Sequence, residues 1–314
     1  MEKQMISLQT KFGDELKGFA WTVENPKENV IIVSGMEEKV ERYDEFAKFL
    51  NSNGFNVYAI DHYGQGLNVD EKHAKGIVPK SFFSKSVKNI DEMVKTLRAS
   101  LLPTTIFAHS MGSFMLQDYI QRFTDHVNKV VICGSNGKNA KLTYMFGRFI
   151  ASFGGKKGKH RNDYAKMMNN LAFGGYKKAI KNRKTDFDWL STNEENVKQY
   201  IEDPLCGYGS SKGFYYEFMK GCSRIYKREF TKKIRKDMHI LIISGADDPV
   251  GAFGKGAKSL EKMYKKLHIS DVQSKVYDGM RHEILNENEK EKVYADVLEF
   301  LNKEVEPAEE LLKF

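Results

Sequence analysis

Several short runs of this chain are apolar or β-branched almost throughout rather than at alternate positions: "NVIIV", "FNVYAI", "TTIFA", "VVIC" and "HILII". A strand with one wet face alternates, whereas a continuous run belongs to a strand covered on both faces. Helical patterns fill the gaps between these runs. "RYDEFAKFLNSNG" closes on Gly54, a good residue to end a helix. Residues 82–100 carry Ile90, Val94 and Leu97 at helical spacing. "SFMLQDYIQRF" follows the third run, a helix is expected near Gly256–Leu267, and another from Glu287 to about Glu304. Strands alternating with helices imply βαβ units, a parallel sheet and right-handed crossovers. Ahead of them, "MISLQT" and "GFAWTV" alternate around "KFGDELK", which predicts a hairpin. The alternation lapses between about Gly137 and Lys236 and resumes at "HILIISGADD". The expectation is an α/β fold: a mostly parallel sheet with helices on both faces, a core from residues 1–136 and 237–314, and an inserted helical cap over 137–236.

Composition narrows the setting. No window approaches the roughly 18 apolar residues of a membrane span, and the first residues lack the apolar stretch of a signal peptide. Cys133, Cys206 and Cys222 are unclustered and odd in number, which argues against a disulfide framework or a zinc site and for a cytoplasmic setting. Net charge is +8. Much of the excess lies between Lys138 and Lys184, where only Asp163 opposes a run of lysines and arginines. Attraction to anionic lipid head groups is one reading. Nucleic acid is a second and disfavoured one. A solvated lysine-rich face is the simplest.

The chemistry concentrates at "TTIFAHSMGSFMLQDYI", Thr104 to Ile120. A strand, a sharp turn and a helix with Ser110 at the corner form the geometry of a nucleophile elbow. Ala108 and Gly112 flank the serine where larger side chains would strike neighbouring elements. The amides at the start of the helix favour negative charge beside the hydroxyl. A helix-capping serine would look similar over so few residues. Two later segments supply partners in a serviceable order. "LIISGADDPVG" puts Asp247 and Asp248 directly after a strand, and "YDGMRHEILNE" puts His282 in a loop before the last helix. An imidazole takes the serine proton and a carboxylate fixes its tautomer. The oxyanion donors are assigned to the backbone N–H of Met111, after the nucleophile, and of Met36 in "VSGMEEK". No metal or organic cofactor is needed.

With these residues in view, the sequence resembles the monoacylglycerol lipase and lysophospholipase branch of the α/β-hydrolases, grouped with serine aminopeptidase-like hydrolases. "SGMEEKVERYDEFAKFLNSNGFNVYAIDHYGQG" resembles that branch's HGxxEHxxRYxxxAxxLxxxGxxVxxxDxxGHG, and "AHSMGSF" its GHSMGG elbow. "DPLCGYGSSKGFYYEFMKG" resembles a cap segment, and "SGADDPVGAFGKGAKSLEKMY" and "DGMRHEILNE" its acid and histidine segments. The resemblance implies the α/β-hydrolase fold and an acyl-enzyme mechanism, and selects Asp248, before Pro-Val, as the acid. Ser34 and Lys39 stand where the branch usually has histidines, Tyr63 where it has Arg, and Gln65 where it has His.

The 137–236 stretch is rich in Met and aromatic residues, which adapt to floppy apolar ligands. Those over Tyr144–Phe149 and Phe214–Met219 sit at helical spacing and read mainly as packing. Together with the resemblance, this points to a small lipid or ester substrate, a monoacylglycerol or lysophospholipid, met at an anionic membrane surface. A short-chain carboxylesterase is one alternative. An aminopeptidase is another, with Glu194, Glu195, Glu202, Asp203 or Glu217 holding an α-amino group. A non-catalytic lipid-binding scaffold is a third.

Overall fold

In the computed structural model, which describes residues 2–137 and 141–304, with 141–143 described through their backbone alone, eight strands form one sheet. Lys138 of the basic run and the side chain of Lys141 lie outside the described residues. The strands are β1 Glu2–Gln9, β2 Glu15–Thr22, β3 Glu28–Val33, β4 Phe55–Ile60, β5 Thr104–His109, β6 Lys129–Cys133, β7 His239–Gly245 and β8 Asp271–Tyr277. Their order across the sheet is β1-β2-β4-β3-β5-β6-β7-β8. β2 runs antiparallel to both its neighbours and every other pairing is parallel. The expected hairpin is β1–β2, closed so that Gln9 faces Glu15.

The helices are α1 Asp44–Ser52, α2 Phe82–Leu97, α3 Met111–Arg122, α4 Lys141–Gly155, α5 Lys166–Ala179, α6 Glu194–Glu202, α7 Lys212–Ile225, the short α8 Arg228–Thr231, α9 Lys255–Lys266 and α10 Lys290–Leu301. Continuous apolar strands serve two cores at once. Ile31, Val33, Ile106, Ile132, Ile240 and Ile242 face α2, α3 and α9. Val30, Ile32, Phe107, Val131, Leu241 and Ile243 face α1 and α10. This is the α/β-hydrolase architecture, with α4 to α8 inserted between β6 and β7. Among the described residues no helix is long and apolar enough to cross a membrane.

Three expectations need correction. The last helix starts at Lys290 rather than Glu287, because the Glu287 backbone is extended, with ψ 165°, and its carboxylate accepts from Thr192 and from the Arg281 amide. On α7, Phe214, Tyr215 and Phe218 are packed, but on α4 Met145, Phe146 and Phe149 are 49 %, 65 % and 61 % exposed. Helical spacing shows that apolar residues share a face, not that anything covers it. α4 packs on α7, with Gly147 against Met219, Ala151 buried and Tyr144 and Ile150 partly covered, while Met145, Phe146 and Phe149 on its other side stay open. Arg161, read as part of the basic face, is instead buried, its guanidinium donating to the carbonyls of Gly155 and Pro79.

Candidate active site

Ser110 sits at the corner between β5 and α3 with φ 50° and ψ −119°, a backbone conformation costly for a side chain with a Cβ. Its amide donates to Cys133 O at 3.0 Å, and its carbonyl accepts from Ser113 N at 2.9 Å, so both flanks of the corner are tied. Gly112 is required there: a Cβ would stand 2.3 Å from Val33 O. A Cβ on Gly35 would stand 3.1 Å from Ser110 Cβ, so the β3 loop passes close over the serine.

His282 and Asp248 converge on this corner from the loops after β8 and β7. His282 Nε2 lies 2.8 Å from Ser110 Oγ, and Nδ1 lies 3.1 Å from Asp248 Oδ2. Both residues are buried. A carboxylate only accepts, so the proton sits on Nδ1 and the Nε2 lone pair faces the serine hydroxyl. The second oxygen of Asp248 accepts from Val250 N at 2.8 Å, which fixes the carboxylate plane. Asp247 is exposed and only its amide is engaged, with Met280 O. The amides of Met36 and Met111 donate to no partner among the described residues, and both residues line the same cavity as Ser110.

Behind the serine lies a buried charged cluster that the sequence did not disclose. Arg42 forks onto Glu283 at 2.5 and 2.6 Å and reaches Glu38 at 3.2 Å and Asn196 at 3.0 Å. Glu38 in turn accepts from Gly35 N at 2.5 Å and from Tyr43 OH at 2.9 Å. His109 closes the cluster, with Nδ1 3.4 Å from Glu38 Oε1 and Nε2 donating to His282 O at 3.2 Å. Burial alone would push the Glu283 carboxyl up, but Arg42 outweighs it and holds the group well below the ordinary range. Burial pulls His109 down, yet the bond to Glu38 leaves it above an ordinary histidine. The sequence signals for the Glu38–Arg42 pairing are their spacing and their match to the family pattern.

The departures from the family pattern have structural answers. Gln65 donates to Gly35 O at 3.0 Å and Glu38 O at 3.2 Å, and accepts from Glu37 N at 3.0 Å, so one amide side chain binds three backbone groups of the loop. Lys39 pairs with Asp203 at 2.7 Å. Tyr63 is buried between His73 and Phe82. The Ser34 hydroxyl has no partner among the described residues, while its carbonyl faces His62 Nε2 at 3.2 Å.

Above Ser110 opens a mostly apolar cavity of about 430 Å³, walled by Phe114, Ile150, Met168, Phe173, Trp189 and Met219 among others. Trp189 lies against His282, with ring centroids 5.4 Å apart, and stacks on Phe173.

Residues 24–289 match the family model described as serine aminopeptidase S33, Hydrolase_4. The chain belongs to this hydrolase family. It is 23% identical over 299 residues to a monoacylglycerol lipase of Mycolicibacterium smegmatis, covering 90% of each protein. It is 26% identical to the human monoglyceride lipase, over 82% of this chain and 76% of that protein. Among solved structures, a thermostable carboxyl esterase from Bacillus coagulans superposes with a TM-score of 0.82 at 25% identity, covering 96% of this chain and 98% of that one. A monoglyceride lipase from Saccharomyces cerevisiae shares the fold at a TM-score of 0.75 and 18% identity, covering 98% and 97%.

Within this family member, the five acids named for an α-amino group do not gather at the serine. None of Glu194, Glu195, Glu202, Asp203 or Glu217 lines the cavity above Ser110. Glu194 and Asp203 pair with Lys184 and Lys39. The carboxylates that do line it, Glu38 and Glu283, are committed to Arg42. Among the described residues no group of His, Cys, Asp and Glu side chains is arranged to hold a metal ion.

Proposed function

We propose that this chain is a carboxylic ester hydrolase acting through an acyl-enzyme on Ser110. The observation that carries the reading is the hydrogen-bonded line Ser110–His282–Asp248 at the floor of an apolar cavity. Ser110 Oγ attacks the ester carbonyl carbon as its proton passes to His282 Nε2, and Asp248 steadies the imidazolium. The Met36 and Met111 amides receive the oxyanion. Collapse expels the alcohol, which takes the proton from His282. A water deprotonated by His282 then attacks the acyl carbon, and the carboxylic acid leaves as Ser110 regains its proton.

The substrate reading is a single-chain lipid ester, a monoacylglycerol or a lysophospholipid. The apolar lining suits one acyl chain, and relatives named as monoacylglycerol lipases support the class. An aminopeptidase, which the family description names, gains no support from the site itself: among the described residues no uncommitted carboxylate lines the cavity to hold an ammonium group.

We read residues 137–236 as a cap over this cavity. Exposed Phe149, Phe153, Met167 and Leu171 on α4 and α5 lie in the same stretch as exposed Arg148, Lys156, Lys157, Lys159 and Lys166. Exposed apolar side chains interspersed along the chain with cations suit peripheral contact with an anionic membrane, where such a substrate resides.

The test is a panel of monoacylglycerols, lysophospholipids, short-chain esters and aminoacyl-naphthylamides, each run against parent and Ser110→Ala protein. Turnover of the single-chain lipids, lost in the variant, is expected. Binding of lipid without turnover in either protein would instead support a non-catalytic scaffold.

A further inference from the structure

Glu37 occupies the turn directly after Met36, with φ 58°. That left-handed conformation costs a residue with a Cβ about 1 kcal/mol, and glycine is the unstrained choice. The residue is also 3 % exposed, so a carboxyl group is buried there as well. Both costs call for compensation, and the contacts show where it comes from. Glu37 Oε1 accepts from Ser210 Oγ at 2.7 Å and Oε2 from Gly209 N at 3.2 Å. Its carbonyl accepts from Gly207 N and from Tyr200 OH, each at 3.0 Å. Four bonds thus run from one loop residue to the insertion segment 200–210, and Lys39–Asp203 adds an ion pair beside them. The neighbouring amide, Met36 N–H, has no partner among the described residues, and Met36 lines the cavity.

We propose that Glu37 is a positioning residue for ester cleavage: by locking its loop to Gly207–Ser210, it holds the Met36 N–H where the oxyanion forms. The idea rests on the reading of Ser110 as nucleophile and Met36 as oxyanion donor. Its physical basis is that an oxyanion donor acts only in the transition state and only at the right distance. A loop that drifts by an ångström still admits substrate but no longer stabilises the charge. The segment 200–210, far along the chain and without a group in the reaction, is then part of what makes the oxyanion site.

The test uses the full chain and p-nitrophenyl butyrate, with the parent, Glu37→Gly, Glu37→Gln and Ser210→Ala. Glu37→Gly removes the carboxylate at a position where glycine relieves the backbone. Its kcat is expected to fall about 10- to 100-fold, with KM changed by less than about twofold. Glu37→Gln keeps the side-chain volume and one acceptor and should recover most of that loss. Ser210→Ala removes one of the four bonds and should lower kcat by a smaller factor. Should Glu37→Gly fail to fold, the other two variants carry the same split between kcat and KM. A parental kcat in all three, or losses that follow reduced thermal stability and raise KM equally, would overturn the proposal while leaving Ser110 chemistry intact. If the parent itself turns over no ester and a fluorophosphonate does not label Ser110, both this proposal and the reading beneath it fail.

Discussion

The stretch between β6 and β7 grips the rest of the molecule in two ways. Its later part, from Asp188 to Ser211, is bonded through directional polar contacts to the two loops beside Ser110. Arg281 donates to Asp188 O at 2.5 Å and Ser191 O at 3.1 Å, Glu283 N donates to Leu190 O at 2.7 Å, and Thr192 N donates to Glu287 at 2.9 Å. Gly209 and Ser210 do the same for the loop at Glu37. In its earlier part α4 rests on α7 and α5 packs Phe173 and Tyr176 against Trp189, while Phe149 and Phe153 stay 61 % and 70 % exposed. Hydrogen bonds fix distance and direction, whereas apolar contacts fix neither closely. The later part is thereby suited to aligning groups, and the earlier part to admitting an apolar substrate.

The sharpest way to break this contrast is at Arg42. Arg42→Ala leaves Glu38 and Glu283 buried without their cation, and the expected loss is about 3–5 kcal/mol of folding stability by urea or thermal denaturation. A loss no larger than that of a surface substitution would mean that the polar grip is not what holds these loops. Next is Trp189, where the later part meets the imidazole and the α5 aromatics. Trp189→Ala is expected to cost about 3 kcal/mol and to lower kcat for short esters, because the face of His282 is opened to water. Unchanged kcat would make Trp189 a wall of the cavity and nothing more.

On the earlier part, the combined Phe149→Ser, Phe153→Ser and Met167→Ser variant should lose roughly tenfold or more in partitioning onto anionic vesicles, measured by sedimentation. Turnover of a water-soluble short ester should stay within about twofold. Equal partitioning would remove the membrane reading.

The smallest effect concerns His62, beneath the loop at Ser34. Burial pulls His62 from an ordinary 6.5 down to about 4. A histidine kept neutral by folding contributes stability that is present above pH 6.5 and is lost as pH falls toward 4. His62→Gln should therefore lose less stability than the parent over that interval. Neighbouring Asp61, pushed up by burial to about 7, acts with the opposite sign: its contribution is lost as pH rises toward 7. Because Asp61 is common to both proteins, the difference between their pH curves isolates the His62 contribution. Parallel curves would show that His62 titrates as it does in the unfolded chain.

The sheet was legible because strands buried on both faces leave continuous apolar runs, and because each run is followed by a helix. Ser110, His282 and the pair Asp247 and Asp248 could be named in order because a corner serine, a post-strand acid and a late loop histidine each leave a local mark, and the family resemblance chose Asp248 of the pair. The structure brings Ser110, His282 and Asp248 within hydrogen-bond reach. Arg42 and Glu38 fall on the family pattern and at helical spacing, but nothing local marks them as buried or as meeting Glu283. Only three-dimensional packing reveals that these charges are covered. The same blindness works in reverse on α4, where Met145, Phe146 and Phe149 read as packing although little covers them. Glu37 was invisible for a third reason: its value lies in a backbone angle and in partners more than 160 residues away.

The central claim is a covalent one and is best tested by mass. The protein is incubated with a p-nitrophenyl ester and quenched in acid within the first turnovers, and the intact chain and its peptides are weighed. The account expects one acyl group added, mapped to Ser110 and absent from Ser110→Ala. An acyl group on another residue, or ester cleavage undiminished in Ser110→Ala, would contradict it.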